Sequence, residues 1–354
     1  MELHFILLFL AVTLFLFSID KNNYKIIVLL LAVVFFGSTF LLSALRAETV
    51  GNDTIKYVNF FRNFFYVDEP WGIISDTRFE PGYSLLNFVI SRFSQSYTSL
   101  LFISALINLL CALYFYRSNC ENKYSWCLLW FISGLCYWSW SAMRASLAIS
   151  FIYMFFDDVL KNKMKRSIFW LLLAGMFHYS AFCCSIILFL RSKIFNKILE
   201  NKILVAIFFI VIAVFMNQVM SYIPDVYSHY YFDSEYGEGS VRIASIIDFI
   251  FTLLFYILAA WKSPIKWNKQ KDIQMLFFIL VGVSFLGLVF NPFNRIERFF
   301  MPFEIVYITN SFKYLSNSRK IGLSCLMVLL AMYQVVTFIV RPDWLQLFPY
   351  AFAF

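Results

Sequence analysis

The stretch IIVLLLAVVFFGSTFLLSAL, residues 26–45, runs for twenty residues without a charged side chain. A helix needs about 20 apolar residues to cross the hydrocarbon core of a bilayer, so this stretch predicts a transmembrane helix. Similar runs occur at 3–19, 98–116, 124–140, 144–160, 203–221, 243–261, 272–290, 299–315 and 321–340. Of the 354 residues, 61% are hydrophobic and 14% charged. We therefore predict an all-α integral membrane protein, a polytopic helical bundle that forms a single domain over residues 1–354.

The basic residues divide between two sets of loops. Fifteen of the sixteen lysines, but only four of the thirteen arginines, lie in 20–25, 117–123, 161–166, 191–202, 262–271 and 313–320. The other loops, the largest near 46–97 and 221–243, contain Lys56 and nine arginines. Lysine-rich loops are expected on the cytoplasmic side, which places the arginine-bearing loops outside. Because guanidinium groups bind phosphate in a fixed geometry, these arginines predict an outer site for a phosphoanion.

Residues 167–190, SIFWLLLAGMFHYSAFCCSIILFL, differ from the other apolar runs. A single crossing helix here would put the lysine-rich loops of the second half on the wrong side of the membrane. Two short helices that meet at His178-Tyr179-Ser180 restore the expected sides. We predict a re-entrant or broken helix pair with His178 near its tip, in addition to about eleven transmembrane helices.

The first half of the chain contains three polar motifs beside predicted spans. Asp53 can cap a helix or bind a sugar hydroxyl. Glu80 precedes a proline, which is normal at a helix start, but a carboxylate, a tyrosine and an asparagine on one helical face also suit a sugar. Arg144 opens a span, where it would snorkel to the interface or bind an anion. The candidate site residues of this half are Arg46, Asp53, Tyr57, Glu80, Tyr83, Asn87, Tyr137, Trp140 and Arg144.

The second half adds four candidates. His178, at membrane depth, would either hydrogen-bond a neighbouring helix or take part in function. Arg295 and Arg298 lie on one helical face, where they would bind a pyrophosphate unless an intervening acid neutralises one of them. Tyr230 would stack on a sugar ring, although tyrosine is also common in the interfacial aromatic belt. No zinc-ligand spacing and no nucleic-acid-binding module is recognisable, so we predict no metal, no cofactor and no nucleic-acid partner.

These motifs, in this order, resemble the EpsG-like branch of bacterial polysaccharide polymerases, the Wzy-type O-antigen or capsule polymerases. The matching stretches are Gly-x-Asp-Thr-x-x-Tyr at 51–57, Glu-Pro-Gly-Tyr at 80–83, Arg-x-x-Leu-Ala at 144–148, His-Tyr-Ser-Ala at 178–181 and the arginines near 295–298. The resemblance implies a GT-C-like, metal-independent glycosyltransferase in the bacterial inner membrane, with its active site facing the periplasm. It would move a growing glycan from undecaprenyl pyrophosphate to the terminal sugar of another lipid-linked repeat unit. Its partners would be this lipid-linked oligosaccharide, membrane lipid and, as a further candidate, a chain-length regulator.

The residue types fit that reaction. The negative charge of the leaving pyrophosphate must be stabilised by cations. We assign this role to Arg144, Arg295 and Arg298. The acceptor hydroxyl needs a base, with Glu80, Asp53 and His178 as the alternatives. Three other functions fit part of the pattern. A lipid-linked oligosaccharide flippase should show an internal repeat, which we do not find. An O-antigen ligase usually has a larger periplasmic domain, and a membrane acyltransferase would need an acyl-donor site.

Overall fold

The computed structural model describes residues 1–19, 23–77, 79–192, 197–198, 201–216, 218, 242–261 and 268–354. In these ranges the regular secondary structure is helical, and one isolated β-bridge joins Arg46 to Phe352. The predicted all-α class is therefore confirmed. Tyr230 and nearly all of the predicted loop 221–243 lie outside the described residues.

The chain packs as two units, and the first consists of Met1–Phe182 and Met327–Phe354. The helices of its N-terminal part are α1 (Glu2–Ile19), α2 (Lys25–Ala44), α3 (Thr54–Arg62), α4 (Trp71–Asp76), α5 (Pro81–Phe93), α6 (Tyr97–Asn119), α7 (Trp126–Ile132), α8 (Leu135–Ser141), α9 (Met143–Leu160) and α10 (Met164–Phe177). A 3-10 helix, Tyr179–Arg191, follows α10.

The second unit consists of Cys183–Leu326. Its helices are α11 (Lys202–Val214), α12 (Ile243–Ala259), α13 (Asn268–Val289) and α14 (Phe293–Ser311). The long helix α15 (Asn317–Val340) begins in this unit and continues into the C-terminal part of the first, where the short α16 (Pro342–Leu345) follows. The single-domain organisation stays a prediction.

Within the described residues, five helices are long and apolar enough to cross a bilayer by length and composition: α1, α2, α6, α15 and the part of α13 from Gln270 to Val289. In α1 and α15 only 28% of the most apolar window is buried within the protein. Apolar faces of this extent are unfavourable in water and are typical of helices that contact lipid. The chain is thus a multi-pass membrane protein. Its number of spans stays a prediction.

Two of the predicted runs are interrupted. The run 124–140, predicted as one span, is divided into α7 and α8 by Gly134, whose φ of 78° is in the left-handed region that favours glycine. The run 167–190 breaks where predicted. Helix α10 ends at Phe177, His178 is extended, and the chain continues as the 3-10 helix. The predicted break at His178 is therefore confirmed, although the segment after it is a 3-10 helix. The re-entrant path stays a prediction.

Candidate active site

Three of the predicted site residues meet around one carboxylate in the first unit. The Glu80 side chain is buried, with 4% of its surface exposed. Its Oε2 accepts a hydrogen bond from Arg144 Nη1, and its Oε1 lies 2.8 Å from His178 Nδ1. The Arg144 and His178 side chains keep 23% and 17% of their surface exposed. The acid is thus enclosed, whereas the guanidinium and the imidazole remain accessible.

The Glu-Pro-Gly sequence explains how Glu80 reaches this position. Glu80 is extended and immediately precedes α5, and Pro81 occupies the first turn of that helix. Proline suits this turn because the first N–H groups of a helix have no intrahelical acceptor. Gly82 then packs against α10, where an added Cβ would lie 2.9 Å from the carbonyl oxygen of Met176. The absence of a side chain lets α5 and α10 approach closely, which brings Glu80 beside His178.

This close approach predicts a specific sensitivity to substitution. Gly82→Ala should destabilise the protein by roughly 1–3 kcal/mol, because the new methyl group overlaps the Met176 backbone. Thermal unfolding of the purified protein in detergent measures the change. Gly72→Ala in α4 is the matched control, since an added Cβ there meets no atom within 4 Å. Equal unfolding temperatures for wild type and Gly82→Ala would show that the two helices do not depend on this contact.

Arg144 lies beside aromatic rings. Its Cζ is 4.6 Å from the ring centroid of Phe79 and 5.9 Å from that of Tyr57. Cations over aromatic faces at such distances are stabilised by about 0.5–2 kcal/mol. A guanidinium has five N–H donors, and Glu80 engages only one of its nitrogens. With 23% of its side-chain surface exposed, Arg144 retains donor capacity for an anionic ligand.

The charge on Glu80 follows from its neighbours. Burial raises the pKa of Glu80, but the hydrogen bond to His178 and the positive charge of Arg144 outweigh burial and leave the pKa of this carboxyl below its usual value. Glu80 is therefore ionised at neutral pH and neutralises Arg144. A carboxylate stabilised in this way is a weak base.

Arg46 and Thr54, in and beside the motif at 51–57, hold the backbone at Trp140, shortly before Arg144. Arg46 is buried and donates hydrogen bonds to three carbonyl oxygens, those of Ser43, Val50 (3.3 Å) and Trp140 (2.8 Å). The Thr54 hydroxyl oxygen lies 2.8 and 3.1 Å from the same Val50 and Trp140 carbonyl oxygens, which share its single hydrogen. The structure thus gives Arg46 a role in holding backbone; its assignment to substrate binding stays a prediction.

Glycine is required at the turn of this motif. Gly51 has a φ of 94°, and an added Cβ would lie 2.8 Å from the Trp140 carbonyl oxygen. Asp53 forms an ion pair with Lys56, with Oδ1 and Nζ 2.9 Å apart, and both side chains are exposed. Its assignment as a base therefore rests on the sequence pattern alone.

Tyr57 and Tyr83 are buried next to the Glu80 site, with ring centroids 5.5 Å apart. Asn87, one turn after Tyr83, donates from Nδ2 to the Tyr83 carbonyl at 2.7 Å, while its Oδ1 has no partner in the described part of the chain. Tyr137 and Trp140 are also buried, and the Tyr137 hydroxyl lies 3.1 Å from His4 Nδ1. These four aromatic side chains contribute to the core of the unit. Their predicted contacts with substrate are untested.

The second unit has its own charged cluster, in which a partly exposed ion pair lies on the same elements as two buried acids. Arg298 Nη2 lies 3.3 Å from Asp248 Oδ2 on α12, and Glu297 is buried with no partner for its Oε2 among the described residues. Glu304, two turns further along α14, is also buried and interacts electrostatically with Glu297 and Arg298. Arg295 is in the first turn of the same helix. The sequence analysis missed Asp248 and Glu304, although an acid inside an apolar run is a signal for a buried polar site.

The ion pair of this cluster predicts an effect on stability. Arg298→Ala should destabilise the protein by about 1.5–3 kcal/mol, because it removes the charged hydrogen-bond partner of Asp248. The measurement is thermal unfolding in detergent. Arg319→Ala is the control, since Arg319 is in the same unit and its hydrogen bond to the Trp261 carbonyl is exposed. An Arg298→Ala protein as stable as wild type would rule out this role for Arg298.

The helices and the Glu80 cluster define a class of protein. It is a multi-pass membrane protein in which one buried acid binds a partly exposed arginine and a partly exposed histidine. The EpsG family model matches residues 29–352, so the chain belongs to the EpsG family, and the predicted resemblance is confirmed. Membership indicates a polysaccharide-polymerase-like function in a membrane. No curated protein and no solved structure is significantly similar to the chain. The described residues contain no group of three or more histidine, cysteine or acidic side chains placed to bind a metal ion.

Proposed function

We propose that the protein is a polysaccharide polymerase that transfers a growing glycan from undecaprenyl pyrophosphate to the terminal sugar of another lipid-linked repeat unit. The observation that carries the proposal is Arg144, a partly exposed cation fixed by the buried Glu80 carboxylate. Family membership supports the same function. In this proposal the enzyme is GT-C-like and uses no metal or cofactor.

The reaction needs a cation where the leaving group gains charge. The acceptor hydroxyl oxygen bonds to the anomeric carbon of the donor, and the bond from that carbon to the pyrophosphate oxygen breaks. The electron pair of the broken bond leaves with undecaprenyl pyrophosphate. Arg144 would donate hydrogen bonds to the pyrophosphate oxygens and stabilise the negative charge as it develops. Glu80 keeps the guanidinium in one orientation while this occurs.

The charges on α9 support a periplasmic active site in a bacterial inner membrane. Arg144 is in the first turn of α9, and Lys161 directly follows its last residue. A helix of this length separates the two residues by roughly 26 Å, close to the thickness of the hydrocarbon core. Lysine is favoured at the cytoplasmic end. The end with Arg144, Glu80 and His178 would then face the periplasm, where lipid-linked repeat units are joined.

A genetic experiment tests the proposed function. Cells that lack the gene are complemented with wild type or with Arg144→Ala, and their surface polysaccharide is separated on a gel. We expect a ladder with wild type and only single repeat units with Arg144→Ala. A deletion strain without any repeat unit on its lipid acceptor would instead indicate a flippase or a ligase. A ladder that survives deletion of the gene would contradict the proposal.

A further inference from the structure

Glu80 is placed so that it cannot reach an acceptor sugar. Both of its carboxylate oxygens are occupied, Oε2 by Arg144 and Oε1 by His178, and its side chain is almost completely enclosed. A general base must come within hydrogen-bond distance of the proton that it removes. To do so, Glu80 would have to break both contacts. Its position instead suits a residue that orients its two partners.

His178 is more exposed than Glu80, with 17% of its side-chain surface accessible against 4% for the acid. It lies at the break between α10 and the 3-10 helix, where the extended backbone interrupts the helical hydrogen bonding. Its Nδ1 is 2.8 Å from Glu80 Oε1, and its side chain is partly exposed. An imidazole that donates its Nδ1–H to a carboxylate has its basic lone pair on Nε2. The carboxylate also stabilises the imidazolium that forms when Nε2 takes a proton, as the aspartate does in serine proteases.

We propose that His178 is the general base of the polymerase and that Glu80 is its positioning residue, an inference that rests on the proposed function. The acceptor hydroxyl proton moves to His178 Nε2 as the hydroxyl oxygen bonds to the anomeric carbon. The bond to pyrophosphate breaks, and undecaprenyl pyrophosphate leaves with its electron pair. The proton on His178 then passes to water. Glu80 serves both halves of the site, because it also fixes the arginine that binds the leaving group.

A double-mutant cycle tests this assignment. The assay uses purified protein in nanodiscs and lipid-linked repeat units extracted from the deletion strain. Loss of a general base lowers kcat by about 10²–10⁴-fold, which we expect for His178→Ala. Glu80→Gln should also lower kcat. The double variant should lose less than the product of the two single losses, because the part of the Glu80 effect that acts through His178 is already absent in His178→Ala, while the part that acts through Arg144 remains. Added imidazole should partly restore activity to His178→Ala but not to Glu80→Gln.

Two further variants are controls, one for loss of folding and one for the loss of an acidic charge elsewhere in the protein. His178→Asn keeps an N–H donor close to the position of Nδ1 but supplies no base, so it should unfold at the wild-type temperature and be inactive. Glu48→Gln removes an exposed ion pair with Arg62, at 2.8 Å, and should retain wild-type activity.

The outcomes separate the two proposals. A wild-type protein that makes no polymer from these units would overturn the proposed function itself. If wild type is active, an active His178→Asn, or losses that multiply in the double variant, would overturn the roles of His178 and Glu80 and leave the polymerase assignment intact.

Discussion

Cells that carry Arg144→Lys in place of the wild-type protein should make about 100-fold less polymer, even though the positive charge is retained. The guanidinium can donate to Glu80 from one nitrogen and to pyrophosphate from the others, whereas a lysine ammonium is a single point charge. Loss of one preorganised donor to a developing oxyanion lowers kcat by about 10²–10³-fold in well-studied enzymes. The effect should therefore appear in turnover more than in the amount of folded protein.

The measurement is the polysaccharide ladder, with the amount of protein in the membrane determined in parallel. Arg62→Lys is the matched control, because Arg62 also pairs with an acid, Glu48, but is exposed at that contact. The control should give a normal ladder. Wild-type polymer from cells with Arg144→Lys would mean that the fork geometry of the guanidinium is not needed, and Arg144 would lose its assigned role.

Arg46→Ala should destabilise the protein by about 2 kcal/mol or more. The change removes the guanidinium donors to the Ser43, Val50 and Trp140 carbonyls. The single hydrogen of the Thr54 hydroxyl can satisfy only one of the last two. Each unsatisfied buried polar group costs about 1–3 kcal/mol. Because Arg46 is buried, water cannot easily replace the lost donors.

Thermal unfolding in detergent, together with the ladder, distinguishes the two interpretations of Arg46. A structural residue gives a lower unfolding temperature and less folded protein in the membrane. A substrate-binding residue, as the sequence predicted, would give a stable protein with little polymer. The exposed Arg341 offers the control variant Arg341→Ala, which should unfold at the wild-type temperature.

The sequence predicted most reliably what depends on length and composition. A run of twenty apolar residues is typical of a membrane-spanning helix. The all-α membrane-protein class therefore followed from residues 26–45 and the similar runs. The break at His178 followed from the distribution of lysines, since a continuous helix would have reversed every later loop. The break at Gly134 was missed because an apolar stretch has the same composition whether or not one glycine adopts a left-handed conformation.

Contacts between distant residues could not be predicted. Glu80, Arg144 and His178 were each identified, yet 64 and 98 positions separate Glu80 from its two partners. Their arrangement depends on the close packing of α5 against α10, which a sequence pattern does not specify. Arg46 shows a second limit of the sequence. Its position after a span suggested a ligand, a prediction that stays untested. Its burial against backbone carbonyls could not be foreseen, because such contacts leave no trace in the local sequence.

The hydrogen bonds around Gly51 hold the segments near Arg144 together independently of the thickness of the surrounding bilayer. The Gly51 and Asn52 N–H groups donate to the Gln346 and Leu345 carbonyls at 2.8 and 3.0 Å, and Arg46 connects the same loop to Trp140. These bonds join connecting segments to one another rather than to the middle of the long helices. A membrane with shorter or longer acyl chains changes the tilt of such helices at modest cost. The hydrogen-bonded segments that flank Arg144 would therefore move together as one piece when the long helices tilt.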